Sequence, residues 1–367
     1  CAPGVRAGTR AGAGRGMRGA FPQSWFLRAL FGVSMLVTIV GLAWWRGPDW
    51  GRVGDSFNRV SWDWIAVALA LNLLSVVIRA LAWRTVIHQA LPPEEQPAFS
   101  RIFSAFSIGL LGNAVLPGRI GELARVAVLS RDMVRGTGAT GRLLGSVFAH
   151  RLFDLIPALL LTVFVLATAR IPRWAITSLE IVIVVGIVLF LLTVLVAGLE
   201  HRPVPEGARA LRRLLAMARL GLNVMREPAA AVAAALLQTA GWVVQLFAVW
   251  ATMFAFGIDQ PLSAAALVLL LVNVATIFPL WPGNIGLLQA VVALPLRSYG
   301  VPYATGIAFG LGLQVLEMSV GIGIGLLFLM HEGLTLASLR GMEAEEEERE
   351  EEAVQEEELR ARTGVSG

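Results

Sequence analysis

Six long apolar stretches dominate the chain, from Phe26 to Trp45, Trp62 to Trp83, Leu143 to Ala169, Trp174 to Leu199, Ala229 to Phe256 and Tyr303 to Met330. At about 1.5 Å of rise per residue each can cross a hydrocarbon core of about 30 Å as a helix. Two further apolar stretches, Ile102 to Leu116 and Leu262 to Ile277, are shorter, and both end at a Pro-Gly pair. Proline lacks the N–H that a helix interior needs and glycine costs backbone entropy, so neither stretch continues through that pair as an undisturbed helix. The pattern predicts an all-α, polytopic membrane protein with about six full spans and two interrupted segments.

The interruptions resemble one another. LPGRIGELARVAVL at 116–129 and WPGNIGLLQAVVAL at 281–294 align with Pro117 and Pro282 at a separation of 165 residues, and the same offset pairs Gly118 with Gly283, Ile120 with Ile285, Gly121 with Gly286, Leu123 with Leu288 and Leu129 with Leu294. It also carries the span from Trp62 to Trp83 onto the one beginning near Ala229, and Thr140, Gly141 and Gly145 onto Thr305, Gly306 and Gly310. Chance recurrence of small residues in Ala/Gly-rich helices is the competing explanation, since such residues assist packing.

Charge supplies the direction. Cytoplasmic loops carry excess positive charge. Arg6, Arg10, Arg15 and Arg18, the segment with Arg79, Arg84 and Arg101, the run Arg131, Arg135 and Arg142, and the loop with Arg202, Arg209, Arg212, Arg213, Arg219 and Arg226 all read as inside. The short or less basic loops after Trp45, at Arg170 to Arg173 and at Gly257 to Pro261 read as outside. Ile102 to Ser130 then enters and leaves on the inner side, and Leu262 to Leu296 on the outer side. Both become re-entrant helical hairpins, and the paired spans run in opposite directions. That is the arrangement of inverted repeats, in which broken helices at corresponding positions point to the substrate site.

Composition agrees with a membrane setting: of 367 residues, 56% are hydrophobic and 15% charged, with a mean hydropathy of +0.70. Cys1 is the only cysteine, and His88, His150, His201 and His331 show no ligand spacing, so neither metal nor cofactor is expected. There is no Walker-type glycine loop for nucleotide and no indication of a nucleic-acid partner. All thirty basic residues are arginine. From Glu332 onward stand 12 acids and 4 arginines, against 14 acids and 26 arginines before it, so an acidic tail follows a basic body. The predicted organisation is a disordered N-terminal arm at 1–23, a transmembrane domain at 24–331 and an acidic cytoplasmic tail at 332–367. Within the domain, repeat one covers about 62–169, repeat two about 229–330, and a basic loop at 200–228 has an amphipathic Arg/Leu pattern suited to anionic inner-leaflet lipids. Localisation in the cell membrane, multi-pass with both termini cytoplasmic, follows. Trp44, Trp45, Trp50, Trp62, Trp64 and Trp83 sit near span ends as belt residues.

The run GNAVLPGRIGELARVAVLSRD, then HRLFDL at His150 to Leu155, then FPLWPGNIGLLQAVV, resembles the lysylphosphatidylglycerol synthase transmembrane-region family of flippase-like integral membrane proteins. The likeness covers roughly Trp62 to Met330, and its most specific part is the set Asn113, Pro117, Gly121, Glu122 and Arg125. Members named for the synthase carry an additional soluble domain that transfers lysine to phosphatidylglycerol. Here a glutamate-rich tail stands instead, so the resemblance implies the translocating part alone, moving a lipid or a lipid-linked sugar. Two positions depart from the family pattern. His150 precedes Arg151 where a glutamate is usual, and Gln314 and Glu317 occupy the last span where an arginine is frequent.

Ionisable groups at membrane depth are costly unless paired and are functional candidates by default. Arg119, Glu122 and Arg125, at i, i+3 and i+6, line one side of a helix opened by Gly118, and their net positive charge suits a head-group phosphate. The alternative is a Glu122–arginine pair with the other arginine snorkelling to the interface. Arg151 and Asp154 form a second i, i+3 pair, either facing a cavity or locking the span to the hairpin. In the second hairpin Asn284 stands where Arg119 does and Gln289 where Ala124 does, so this copy, with Pro282 and Gly283, is polar but neutral. Asn284, Gln289 and Gln314 suit hydroxyls, and Glu317 suits either a proton-coupled carboxylate or a buried glutamate satisfied by a neighbour. The predicted function is translocation of an anionic lipid or lipid-linked glycan by a transporter without enzymatic activity. A membrane glycosyl or acyl transferase using Glu122 or Asp154 as base on a polyprenyl phosphate stays open, as does a non-catalytic partner of a glycan-assembly enzyme such as a glycosyltransferase.

Overall fold

Nine α-helices and no strand make up the described residues of the computed structural model, which are 48–115, 121–131, 139–170, 188, 227–276 and 284–333. Helix α1 (Trp50–Asn58) starts at Asp49, whose carboxylate accepts from the N–H groups of Gly51 at 3.1 Å and Arg52 at 3.3 Å, an N-terminal cap. A first quartet follows: α2 (Trp62–Ala90), α3 (Phe99–Val115), α4 (Gly121–Ser130) and α5 (Ala139–Thr168). The second comprises α6 (Pro228–Ala255), α7 (Leu262–Thr276), α8 (Leu287–Leu296) and α9 (Tyr303–His331). Helices α2, α5, α6 and α9 are long and apolar enough to cross a membrane, while α3 and α7 are shorter apolar helices. The chain is thus an all-α polytopic membrane protein. The stretches Phe26–Trp45 and Trp174–Leu199, the N-terminal arm, the basic loop and the acidic tail lie outside the described residues apart from isolated positions, as do Pro117, Gly118, Arg119, Pro282 and Gly283.

The quartets match element by element. Shifting α2 to α5 by the 165-residue offset reproduces the bounds of α6 to α9 to within four residues. The contacts match as well. Helices α3 and α4 pack together, as do α7 and α8; α4 packs on α5 as α8 does on α9; and α3 crosses to α9 as α7 crosses to α5. Helices α2 and α6, which the offset equates, lie antiparallel. The Ser61 N–H before α2 donates to the Ala255 carbonyl at the end of α6 at 2.9 Å, and the Ser75 hydroxyl donates to the Gly241 carbonyl at 2.9 Å.

Two apolar clusters hold the described residues from Asp49 onward as one compact unit. One gathers Met253, Leu267, Leu296 and Phe309, the other Trp83, Ile87, Ile102 and Leu143. Where helices touch most closely, side chains are absent. A Cβ at Gly121 would strike the Gly109 carbonyl and the Asn113 backbone nitrogen, so α4 starts pressed against α3. On α9, a Cβ at Gly325 would lie 2.8 Å from the Ser107 carbonyl oxygen of α3, whereas one at Gly323 meets nothing within 4 Å.

That contrast gives a paired prediction. Gly325→Ala is expected to lower the thermal unfolding midpoint in detergent by overpacking worth about 1–3 kcal/mol. Gly323→Ala leaves the midpoint unchanged or raises it, because alanine is the better helix former by about 1 kcal/mol. Equal shifts in both variants would contradict this packing of α9 on α3.

Candidate functional site

Three charged residues of the first quartet, Arg79, Arg151 and Glu122, assemble with Asp154 on α5. Its Oδ1 accepts from Trp242 Nε1 of α6 at 2.8 Å, from the neighbouring Gln238 Nε2, and from Arg79 Nη2 of α2 at 3.4 Å. Its Oδ2 accepts from Arg151 Nη1, one turn earlier, at 3.1 Å. The same guanidinium pairs with Glu122 on α4 through Nη2. The order Arg79, Asp154, Arg151, Glu122 alternates in sign, which is how charge persists at depth in an apolar bundle. Each ion thereby ties a helix: α2, α4, α5 and, through Trp242 and Gln238, α6.

Arg125 is placed differently. It is 4% exposed, its guanidinium stacks 4.7 Å from the Trp83 ring and 5.7 Å from that of Phe106, and its Nε and Nη2 make no hydrogen bond. Trp83 is itself fixed by donating to the Ser146 hydroxyl at 3.2 Å. The structure therefore separates the partners of the expected charged face: Glu122 engages Arg151, and Arg125 lies on aromatic rings. His150 is buried edge-on to Phe106.

A cavity of about 290 Å³ opens between α2, α3, α6, α7 and α9, with Arg79, Asn113, Trp242, Gln245, Asn273 and Glu317 among its lining residues. Gln245 Nε2 donates to Glu317 Oε1 at 3.0 Å. Asn113 Oδ1 accepts the Gly121 N–H at 3.0 Å, capping the start of α4 while its side chain lines the cavity. Arg79 belongs to both places. Its Nη2 reaches the Asp154 network over a long contact, its buried Nε makes no hydrogen bond, and the residue lines the cavity.

The polar residues Asn284, Gln289 and Gln314 gather elsewhere. Asn284, with a left-handed φ of 45°, donates to the Ala275 carbonyl at 3.3 Å. Gln289 accepts the Gly286 N–H at 2.5 Å and donates to Gln314 Oε1 at 2.6 Å. The backbone N–H at equivalent positions 121 and 286 is thus capped by a side chain in both copies, Asn113 in one and Gln289 in the other. Gln289 and Gln314 form a neutral lock between α8 and α9, away from the cavity lining. The expected set therefore divides. Asn113 and Glu317 reach the cavity, Glu122, Arg151 and Asp154 form the network, and Gly121 supports Asn113.

Arg79, Trp242, Gln245 and Asn273 are the cavity residues that sequence reading passed over. Arg79 counted as a flank of the span ending at Trp83, yet α2 runs on to Ala90 and carries it inside. A signal existed on α6, where Gln238, Trp242 and Gln245 fall at i, i+4 and i+7, one polar stripe on an otherwise apolar helix. Asp154→Ala, which takes away the ion pair of Arg79 and leaves Arg151 with Glu122 alone, is expected to cost about 3 kcal/mol, the scale for breaking a buried ion pair. Thermal unfolding in detergent checks this, and an unchanged midpoint would show that the carboxylate does not hold the helices.

A family model described as the lysylphosphatidylglycerol synthase TM region matches residues 27–325. The UPF0104 membrane protein PH1989 of Pyrococcus horikoshii is 23% identical over 170 residues, which is 46% of this chain and 48% of that protein. The chain thus spans about half the length of this curated relative. No solved structure matches. Because the family match takes in the whole Asp154 network and every cavity residue named above, the site is part of the shared domain, and the chain belongs to the lysylphosphatidylglycerol synthase transmembrane-region family.

Proposed function

We propose that the chain moves an anionic lipid or lipid-linked glycan across the cell membrane, with both termini on the cytoplasmic side. The observation that carries this reading is the cavity lined by Arg79 and by amides, set among apolar helices from both quartets. Arg79 makes one 3.4 Å contact to Asp154 and lies 6.0 Å from the Trp242 ring centroid, its Nε makes no hydrogen bond, and guanidinium donors suit phosphate oxygens. Asn113, Gln245 and Asn273 carry groups that both donate and accept, which suits glycerol or sugar hydroxyls. At about 290 Å³ the cavity lies at the small end of ligand sites, which run from about 300 Å³ upward, so it fits a head group with its chains left in the bilayer.

The matched quartets supply the movement. Antiparallel α2 and α6, and the crossed contacts of α3 with α9 and α7 with α5, support inverted repeats that rock about a central site. The arginine distribution supports the orientation of the termini. A transporter also fits the carboxylates better than a transferase does. Glu122 is paired with Arg151, and Asp154 with Arg79 and Arg151. A carboxylate held this way has its oxygens engaged by guanidinium groups.

In liposomes with fluorescent phosphatidylglycerol, scored by external quenching, the protein is expected to move label between leaflets. Arg79→Gln slows this about 10–100-fold, the loss expected from about 1.5–3 kcal/mol of charged hydrogen bonding. Arg52→Gln, at an exposed position on α1, leaves the rate unchanged. Failure to move any anionic lipid, or equal rates for Arg79→Gln and the unaltered protein, would overturn the proposal.

A further inference from the structure

We infer that Glu317 couples the cavity to protons: it takes up one proton when a monoanionic phosphodiester head group binds at Arg79, and the two are carried together. This rests on the translocation reading and names the ion that accompanies the lipid.

Glu317 sits at the middle of α9, fourteen residues from each end of the helix, and it lines the cavity. Its hydrogen bond is a neutral one, from Gln245 at 3.0 Å. The carboxylates of the neighbouring network are neutralised by arginine, Asp154 by Arg79 and Arg151 and Glu122 by Arg151. Among the described residues no arginine forms an ion pair with Glu317. The helices packed on α9 present few charges to it. Helix α2 brings Arg79, which lines the same cavity; α6 brings Gln245 and Trp242, and α3 brings Asn113. Helix α8 has no ionisable residue, the charges of α1, Arg52 and Asp55, are exposed, and the other ionisable residues of α9 itself, Tyr303 and His331, stand at its two ends, with Glu332 as its C-cap.

The charges inside the described bundle balance when all are ionised: Arg79, Arg125 and Arg151 against Glu122, Asp154 and Glu317. An arriving phosphodiester adds one negative charge and competes with Glu317 for Arg79. A proton on Glu317 removes that competition, restores neutrality and provides an O–H donor beside Gln245. In a low-dielectric cavity like charges oppose one another strongly, so anion and proton favour each other's binding, and the linkage is reciprocal. No bond is made or broken in the lipid. The proton comes from water on the side where the head group enters and returns to water where it leaves. A zwitterionic head group brings its own cation and calls for no proton.

The test uses the full chain in detergent, weakly buffered with a pH-indicator dye, titrated with dihexanoyl phosphatidylglycerol. The expected result is uptake of about one proton per lipid bound, and affinity rising up to about tenfold for each unit of pH lowered while Glu317 is ionised. With dihexanoyl phosphatidylcholine no protons are taken up. Glu317→Gln loses proton uptake per lipid bound and the pH dependence of affinity, while Glu317→Asp keeps both, which separates coupling from a folding defect. Binding of phosphatidylglycerol without proton uptake, or equal uptake in Glu317→Gln, overturns the coupling and leaves translocation standing. No binding of phosphatidylglycerol by the unaltered protein overturns the anionic substrate and the coupling with it.

Discussion

The Asp154 carboxylate is the constraint on which the rest depends. It accepts from α2, from its own helix α5 and from two residues of α6, and so joins the two quartets at one ion. An unpaired charge at such depth is expensive, and Asp154 is what makes Arg79 and Arg151 affordable there. The geometry of this junction also decides what is left over. Arg151 is engaged by Asp154 and Glu122, whereas Arg79 makes one long contact to Asp154, lies beside the Trp242 ring and lines the cavity.

Helix bounds and contacts match between the quartets, whereas their polar and charged residues do not. At the 165-residue offset, Arg79, Glu122, Arg125, Arg151 and Asp154 correspond to Val244, Leu287, Ala290, Leu316 and Ser319. Every charge of the first network is therefore lost in the second. The reverse also holds, since Gln245 and Glu317 correspond to Ala80 and Leu152, and the Gln289–Gln314 lock corresponds to Ala124 and Ala149. The first quartet supplies the fixed cation, and the second supplies the weakly partnered carboxylate that faces it across the cavity. Matching helices keep both in place while neither quartet holds a complete site.

Much of this frame was legible in the sequence because helix length and proline or glycine placement are local properties. The apolar runs located α2, α5, α6 and α9, and the shorter runs located α3 and α7. The 165-residue offset read between the Pro-Gly copies carries the bounds of α2 to α5 onto those of α6 to α9 to within four residues. The membrane nature and the family were readable for the same reason. The site was less legible because it is made by contacts between distant segments. Arg79 stands 75 residues from Asp154, and Gln245 stands 72 from Glu317. In a chain whose basic residues are all arginine, nothing local separated Arg79 from arginines at span ends. Arg125 looked like a phosphate ligand beside Glu122, but the side of α4 it occupies is decided by Trp83 and Phe106, which belong to other helices.

The most direct test of the account is native mass spectrometry of the protein released from its own membrane, with and without Arg79→Gln. The account predicts about one anionic lipid or lipid-linked glycan retained per chain, and its loss in Arg79→Gln while the protein remains folded. Retention of zwitterionic lipid alone, or the same anionic lipid held equally by both proteins, would contradict it.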